Sequence, residues 1–139
     1  MVAYCLMPNH FHLLIRIKSE SGFERAITSL LISYVKAVNI DQDRVGPLFQ
    51  GRFQSKAIED DDYLLGLSCY IHLNPVAAGL AKTPEEWMYS SYREYVGLRR
   101  DGWINKSVVM EQFDNSMEYR NYVRSEMLNK KPGKFEFEE

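Results

Sequence analysis

Between residues 10 and 17 the chain alternates, with Phe11, Leu13, Ile15 and Ile17 on one side and His10, His12, Leu14 and Arg16 on the other. A period of two is that of a strand with one fully apolar face, and it puts both histidines on the opposite face. Met7-Pro8-Asn9 ahead of it suits a turn, because proline fixes one dihedral and asparagine tolerates tight conformations. Residues 3–6 then read as the stub of a preceding hairpin strand. Further on the period changes. Phe23, Ala26, Ile27, Leu30, Leu31, Tyr34, Val35 and Val38 keep helical spacing, and Ser21 with Glu24 is placed as a capping box. A helix is predicted over about residues 22–39, and its long apolar stripe needs a sheet or another helix to cover it.

Residues 41–47 form a polar loop, after which residues 48–58 alternate again. Phe49, Gly51, Phe53, Ser55 and Ala57 share one face of the expected strand, and Leu48, Gln50, Arg52, Gln54, Lys56 and Ile58 share the other. A row of Gln-Arg-Gln-Lys fits a ligand-facing surface or a merely solvated sheet face, and alternation does not choose between them. Asp60-Asp61-Asp62 supplies a cap and favourable dipole charge for a helix over about residues 63–74, which Pro75 is expected to close. On that helix Tyr63, Leu67, Tyr70 and Asn74 share one stripe. Leu64, Leu67, Ser68 and Ile71 form the adjoining stripe, expected to face the core. An aromatic stretch follows with Trp87, Tyr89, Tyr92 and Tyr95, then one or two helices beyond Trp103, and a charged end from 129 expected to fray. No internal repeat or low-complexity tract interrupts this order.

At 139 residues and 45% hydrophobic content, the chain is sized for one core. We expect a domain over residues 1–98 and a helical accessory tail over 99–139. No apolar run approaches the roughly 20 residues of a membrane span, and no secretory leader opens the sequence. Cys5 and Cys69 stand alone, without metal-site spacing or a disulfide framework, so a cytoplasmic location is expected. The net charge of −2 argues mildly against a nucleic-acid binder. Its distribution argues the other way: from Arg16 to Lys56, seven basic residues face four acidic ones.

The chemistry sits in two pairs. His10 and His12, one residue apart on a strand, point the same way with Cβ atoms about 6–7 Å apart, close enough for one metal ion. Tyr70 and Asn74 lie one helical turn apart on one face. An amide oxygen can ligate a hard cation such as magnesium or manganese, and the phenol beside it would meet whatever that cation binds. Either pair alone reads as readily as a polar sheet face or a helix boundary. His72 is set aside as a ligand, because two residues along a helix turn a side chain by about 200°.

Four blocks in order carry a family resemblance: Ala3-Tyr4-Cys5-Leu6-Met7-Pro8-Asn9-His10-Phe11-His12-Leu13-Leu14-Ile15, Gly46-Pro47-Leu48-Phe49-Gln50-Gly51-Arg52-Phe53, Tyr70-Ile71-His72-Leu73-Asn74-Pro75-Val76-Ala77-Ala78-Gly79-Leu80, and Trp87-Met88-Tyr89-Ser90-Ser91-Tyr92. Together they resemble the REP-associated tyrosine transposases, insertion-sequence-200-like enzymes with a histidine-hydrophobic-histidine motif. The resemblance implies an α+β, ferredoxin-like sandwich in which His10, His12 and Asn74 hold Mg2+ or Mn2+ and Tyr70 is the nucleophile. It implies cleavage and rejoining of single-stranded DNA at hairpin ends through a 5′-phosphotyrosine. Arg16, Gln50, Arg52, Gln54 and Lys56 are candidates for contacts to the DNA backbone by charge and strand face. The family opens with a strand and a long helix before the histidine hairpin, whereas this sequence starts inside it. The expectation is therefore an N-terminally incomplete domain, a homodimer that covers the gap, and activity conditional on that cover. The alternative is an inactive derivative that binds structured nucleic acid without cutting it.

Overall fold

A computed structural model describes residues 1–19 and 21–129. The end expected to fray lies, from residue 130, outside the described residues. The chain divides into two compact units, one made of Met1–Arg16 with the chain from Ala57 onward, the other of Ile17–Lys56.

In the first unit the hairpin forms as strands β1 (Ala3–Leu6) and β2 (Phe11–Leu14), paired antiparallel with Ala3 opposite Leu14 and Cys5 opposite His12. The turn closes on a 2.8 Å bond from the Met7 N–H to the His10 carbonyl. With a side-chain period of two, register decides which face goes inside. Ala3, Cys5 and Leu14 are buried beside half-buried His12 on the face that meets helix α2 (Asp61–Ala77). Phe11, Leu13 and Ile15 are only half-buried and Ile17 is exposed. The fully apolar face is thus not the buried one. The cross-strand partners of His12 and Leu14 are small, which lets a helix approach there, and the opposite face is covered at Tyr4, where Trp103 stacks at 5.1 Å.

The other edge of β1 is occupied by residues 89–91. Leu6 N–H donates to the Tyr89 carbonyl at 2.8 Å, Ser91 N–H to the Tyr4 carbonyl at 3.0 Å, and Cys5 bridges Ser90. Arg99 straps this edge down by donating to Tyr4 Oη, the Ser90 and Met88 carbonyls and the Glu94 carboxylate.

Helix α2 starts as anticipated, with the Asp60 side chain accepting from the Tyr63 N–H at 2.7 Å. It ends later than anticipated. Pro75 lies inside the helix and is buried, and the helix runs on to Ala77. Proline removes one N–H and crowds the turn before it. With so few residues beyond it, burying the ring against the core offsets that loss. Ser68, Cys69, Ile71, His72 and Pro75 form the buried face, with Leu64 and Leu67 at its margin.

A 3-10 turn (Pro84–Glu86) and helices α3 (Tyr92–Tyr95), α4 (Ser107–Met110) and α5 (Ser116–Asn129) complete the unit. The segment expected as an accessory tail contributes Val109, Tyr119 and Val123, all fully buried, to the cluster that holds Ala3, Cys5 and Ile71. Tyr95 and Tyr119 meet at 4.8 Å in its centre.

The second unit is built on helix α1 (Phe23–Asp41), and no residue of it is buried. Its start departs from the capping box. The N-cap is Gly22 at φ 89, a left-handed conformation that glycine adopts freely, and Ser21 Oγ bonds Ser19 Oγ at 2.9 Å instead. Tyr34 stacks on Phe49 at 6.2 Å, and Phe53 with Phe23 lines a small depression. The strand expected over residues 48–58 is not formed: that stretch holds bends and irregular chain, with Gly51 at φ 96. A strand needs a neighbour for its backbone groups, and the described residues of this unit contain none. The loop folds back on its own helix instead, with Arg44 donating to Asn39 Oδ1 at 2.9 Å and to the Pro47 carbonyl at 3.2 Å.

The fold is therefore α+β with a two-stranded antiparallel sheet and five α-helices among the described residues. A ferredoxin-like sandwich uses four strands.

Candidate active site

The hairpin and α2 bring the two sequence pairs together. His10 follows the turn and is exposed, while His12 is half-buried one step further along β2. Their rings meet edge to face at 5.1 Å. From α2, Asn74 places Nδ2 3.2 Å from His12 Nε2, although 62 residues separate them in sequence. Tyr70, one turn back, lays its ring against the same imidazole, with centroids 5.7 Å apart at 73°. His12 is thus the hub of the cluster.

The hydrogen bonds sort the donor atoms. His10 Nδ1 lies 2.7 Å from Asn9 Oδ1, an oxygen that only accepts, so Nδ1 carries a proton and Nε2 is the ring nitrogen turned away from that bond. Asn9 does for His10 what an outer partner does for a metal-binding histidine, fixing tautomer and ring orientation. Burial, and then the neighbouring His10, hold His12 below the ordinary histidine value and so favour its neutral form. The carboxamide of Asn74 has nearly the same shape when turned by 180°, which puts Oδ1 where Nδ2 lies. Two imidazole nitrogens and one amide oxygen are donors that suit a divalent cation. Among the described residues no group of three His, Cys, Asp or Glu side chains converges as a metal site.

His72 behaves as its helical phase requires. It points away from the cluster and is fully buried, with Nδ1 2.7 Å from Tyr119 Oη and Nε2 2.8 Å from Ser91 Oγ. Burial pushes its pKa down to about 3. The candidate DNA-contact residues Arg16, Gln50, Arg52, Gln54 and Lys56 are all exposed. Gln50, Arg52, Gln54 and Lys56 do not form the polar strand face expected of them, because that strand is absent. Sequence reasoning missed Asn9 and Ser91. Asn9 stood beside the motif, and an amide next to a ligand candidate was the available signal. Ser91 stood in the fourth resemblance block, but nothing in that block marked it as a partner of His72.

The chain is similar to a tyrosine transposase. The relative, from Haemophilus influenzae (strain ATCC 51907 / DSM 11121 / KW20 / Rd) and provisionally named a REP-associated tyrosine transposase, is 29% identical over 105 residues, covering 68% of this chain. The matched segment spans 60% of that transposase's length. No family model and no solved structure matches. No helix among the described residues is long and apolar enough to cross a membrane.

Proposed function

We propose that this chain carries the active site of a metal-dependent tyrosine transposase acting on single-stranded DNA, with Tyr70 as nucleophile and His10, His12 and Asn74 as the metal-holding residues. The observation that supports it best is the convergence on one imidazole. His12 meets Asn74 at 3.2 Å and the Tyr70 ring at 5.7 Å, from an element far away in sequence. A bound Mg2+ or Mn2+ would polarise the scissile phosphate and offset the charge that builds on its oxygens.

The chain's own residues do the rest. Tyr70 Oη attacks the phosphorus, the bond from phosphorus to O3′ breaks, the phenol proton passes to water and the departing O3′ takes one up. A 5′-phosphotyrosine and a free 3′-hydroxyl remain. The ester conserves the phosphodiester, so a second 3′-hydroxyl can reverse the step and join a new strand. His12, neutral and half-buried, and Asn74 orient the site, while His10 opens it to solvent. In this reading Arg16, Gln50, Arg52, Gln54 and Lys56 contact backbone phosphates of a single-stranded hairpin substrate. In this reading the protein acts as a homodimer.

The test is a covalent adduct. A panel of 3′-labelled imperfect DNA hairpins is incubated with the protein and Mn2+, then resolved in SDS. An SDS-resistant band that is absent in Tyr70→Phe, and falls at least about tenfold in Asn74→Ala, is expected. No band from folded protein shown to bind Mn2+ would overturn the reading. Hairpin binding unchanged by Tyr70→Phe and by chelator would instead mark a binding module.

A further inference from the structure

Tyr70 and Asn74 face His12 only if α2 is turned correctly about its own axis. At a side-chain radius of roughly 6 Å, a 20° rotation of the helix displaces those groups by about 2 Å. That exceeds the roughly 0.5 Å within which a constellation of this kind has to be held. Toward His12 the face that carries them offers one hydrogen bond, from Asn74, and one ring edge, from Tyr70.

On the far side of α2 a hydrogen-bonded chain ties the helix to β1, the strand paired with the one that carries His12. Ser91 Oγ accepts from the Tyr4 N–H at 2.9 Å, and its proton has two acceptors within reach, His72 Nε2 at 2.8 Å and the Tyr4 carbonyl at 3.3 Å. The assignment that satisfies the whole run gives it to His72. His72 is then protonated at Nδ1 and donates to Tyr119 Oη at 2.7 Å. Tyr119 donates to Ser68 Oγ at 3.2 Å, and Ser68 to the Leu65 carbonyl at 2.8 Å. Ser68, His72, Ser91 and Tyr119 are all fully buried, and each polar group of the run has a partner. Tyr4 neighbours Cys5, whose cross-strand partner is His12. His72 sits between Tyr70 and Asn74 in sequence and opposite them on the helix.

We propose that Ser91 and His72 are positioning residues: their bond fixes the rotation of α2 against β1 and so presents Tyr70 and Asn74 to His12. The inference rests on reading those three residues with His10 as one site, and it deepens that reading. Tyr119 bonds the same imidazole but ties it to α5, so losing its hydroxyl should weaken the fold without turning the site.

The test compares Ser91→Ala, which removes the side-chain bonds to His72 and to Tyr4 of β1, with Tyr119→Phe, which removes those from α5 to His72 and Ser68. The nuclear Overhauser contact between the His12 and Tyr70 rings is measured in metal-free protein well below the melting temperature, and the Mn2+ dissociation constant is measured by electron paramagnetic resonance. We expect Tyr119→Phe to melt lower but to keep the ring contact and bind Mn2+ within about twofold of wild type. Ser91→Ala should lose the ring contact and bind Mn2+ about tenfold more weakly. If Ser91→Ala does not fold, His72→Leu is used instead; it removes both bonds of the imidazole, so only a loss of ring contact beyond that in Tyr119→Phe counts for the Ser91 tie. Equal effects of the two variants on the ring contact, or a ring contact that survives loss of the tie, overturn the inference. A wild-type protein that keeps the Ser91-dependent ring contact but binds no Mn2+ and forms no adduct supports positioning while the enzymatic reading fails.

Discussion

Lowering the pH should unfold the larger unit through His72. The imidazole is fully buried. It bonds to the neutral hydroxyls of Ser91 and Tyr119 and packs against the rings of Tyr92 and Tyr95 at 5.4 and 4.7 Å. None of these partners compensates a positive charge, so burial pushes its pKa down to about 3, from 6.5 for an unhindered histidine. The folded value is depressed, and below pH 6.5 the unfolded chain binds the extra proton. The stabilisation is therefore complete above 6.5 and is lost as pH falls toward 3, at about 1.4 kcal/mol per pH unit. Over the whole interval the loss is at most roughly 5 kcal/mol, comparable with the total stability of a marginal domain. Urea unfolding followed by circular dichroism between about pH 7 and pH 4.5 measures it, provided the denaturant slope stays constant. His72→Gln is the control, since the carboxylates titrate in both proteins and only the difference belongs to His72. Wild type should lose stability faster than the variant across that window. Parallel curves would refute the argument, because they would mean that His72 takes up its proton without opening the core.

Two further perturbations probe the same unit. Burial pushes Cys5 up to about 12, and burial followed by Glu126 pushes Cys69 up to about 12, so both thiols should react with iodoacetamide at neutral pH at least about 100-fold more slowly in native protein than in urea; mass spectrometry would count the adducts, and rates within tenfold would contradict the burial. Glu85 accepts from Arg120 Nε at 2.9 Å and lies 2.8 Å from its Nη2, with Arg124 at 3.5 Å. Replacing it in Glu85→Gln should cost about 1 kcal/mol at low salt and less at high salt, and a salt-independent loss would show that packing, not charge, joins the 3-10 turn to α5.

Patterns in sequence report which side chains share a face; they do not report how two faces are turned toward each other. His10 with His12, and Tyr70 with Asn74, were legible because each pair is fixed by the period of its own element, and so was the Asp60 cap. What went unread depended on partners elsewhere. The fully apolar row from Phe11 to Ile17 looked like the inner face of β2, but the small residues Ala3 and Cys5 opposite the other row decided where α2 could approach. Residues 48–58 have the alternation of a strand and lack one, because alternation supplies no neighbour to receive backbone bonds. Pro75 reads as a stop, yet three-dimensional burial keeps it in the helix. Ser91 is the strongest case. It contacts Tyr4 across 87 residues and His72 across 19, and no window of sequence contains all three. The residues that carry chemistry are thus found by short periods, while the angle at which they meet is set by buried polar contacts over long separations. It follows that a change at Ser91 can leave His10, His12, Tyr70 and Asn74 all in place in the sequence and still misalign the faces on which they lie.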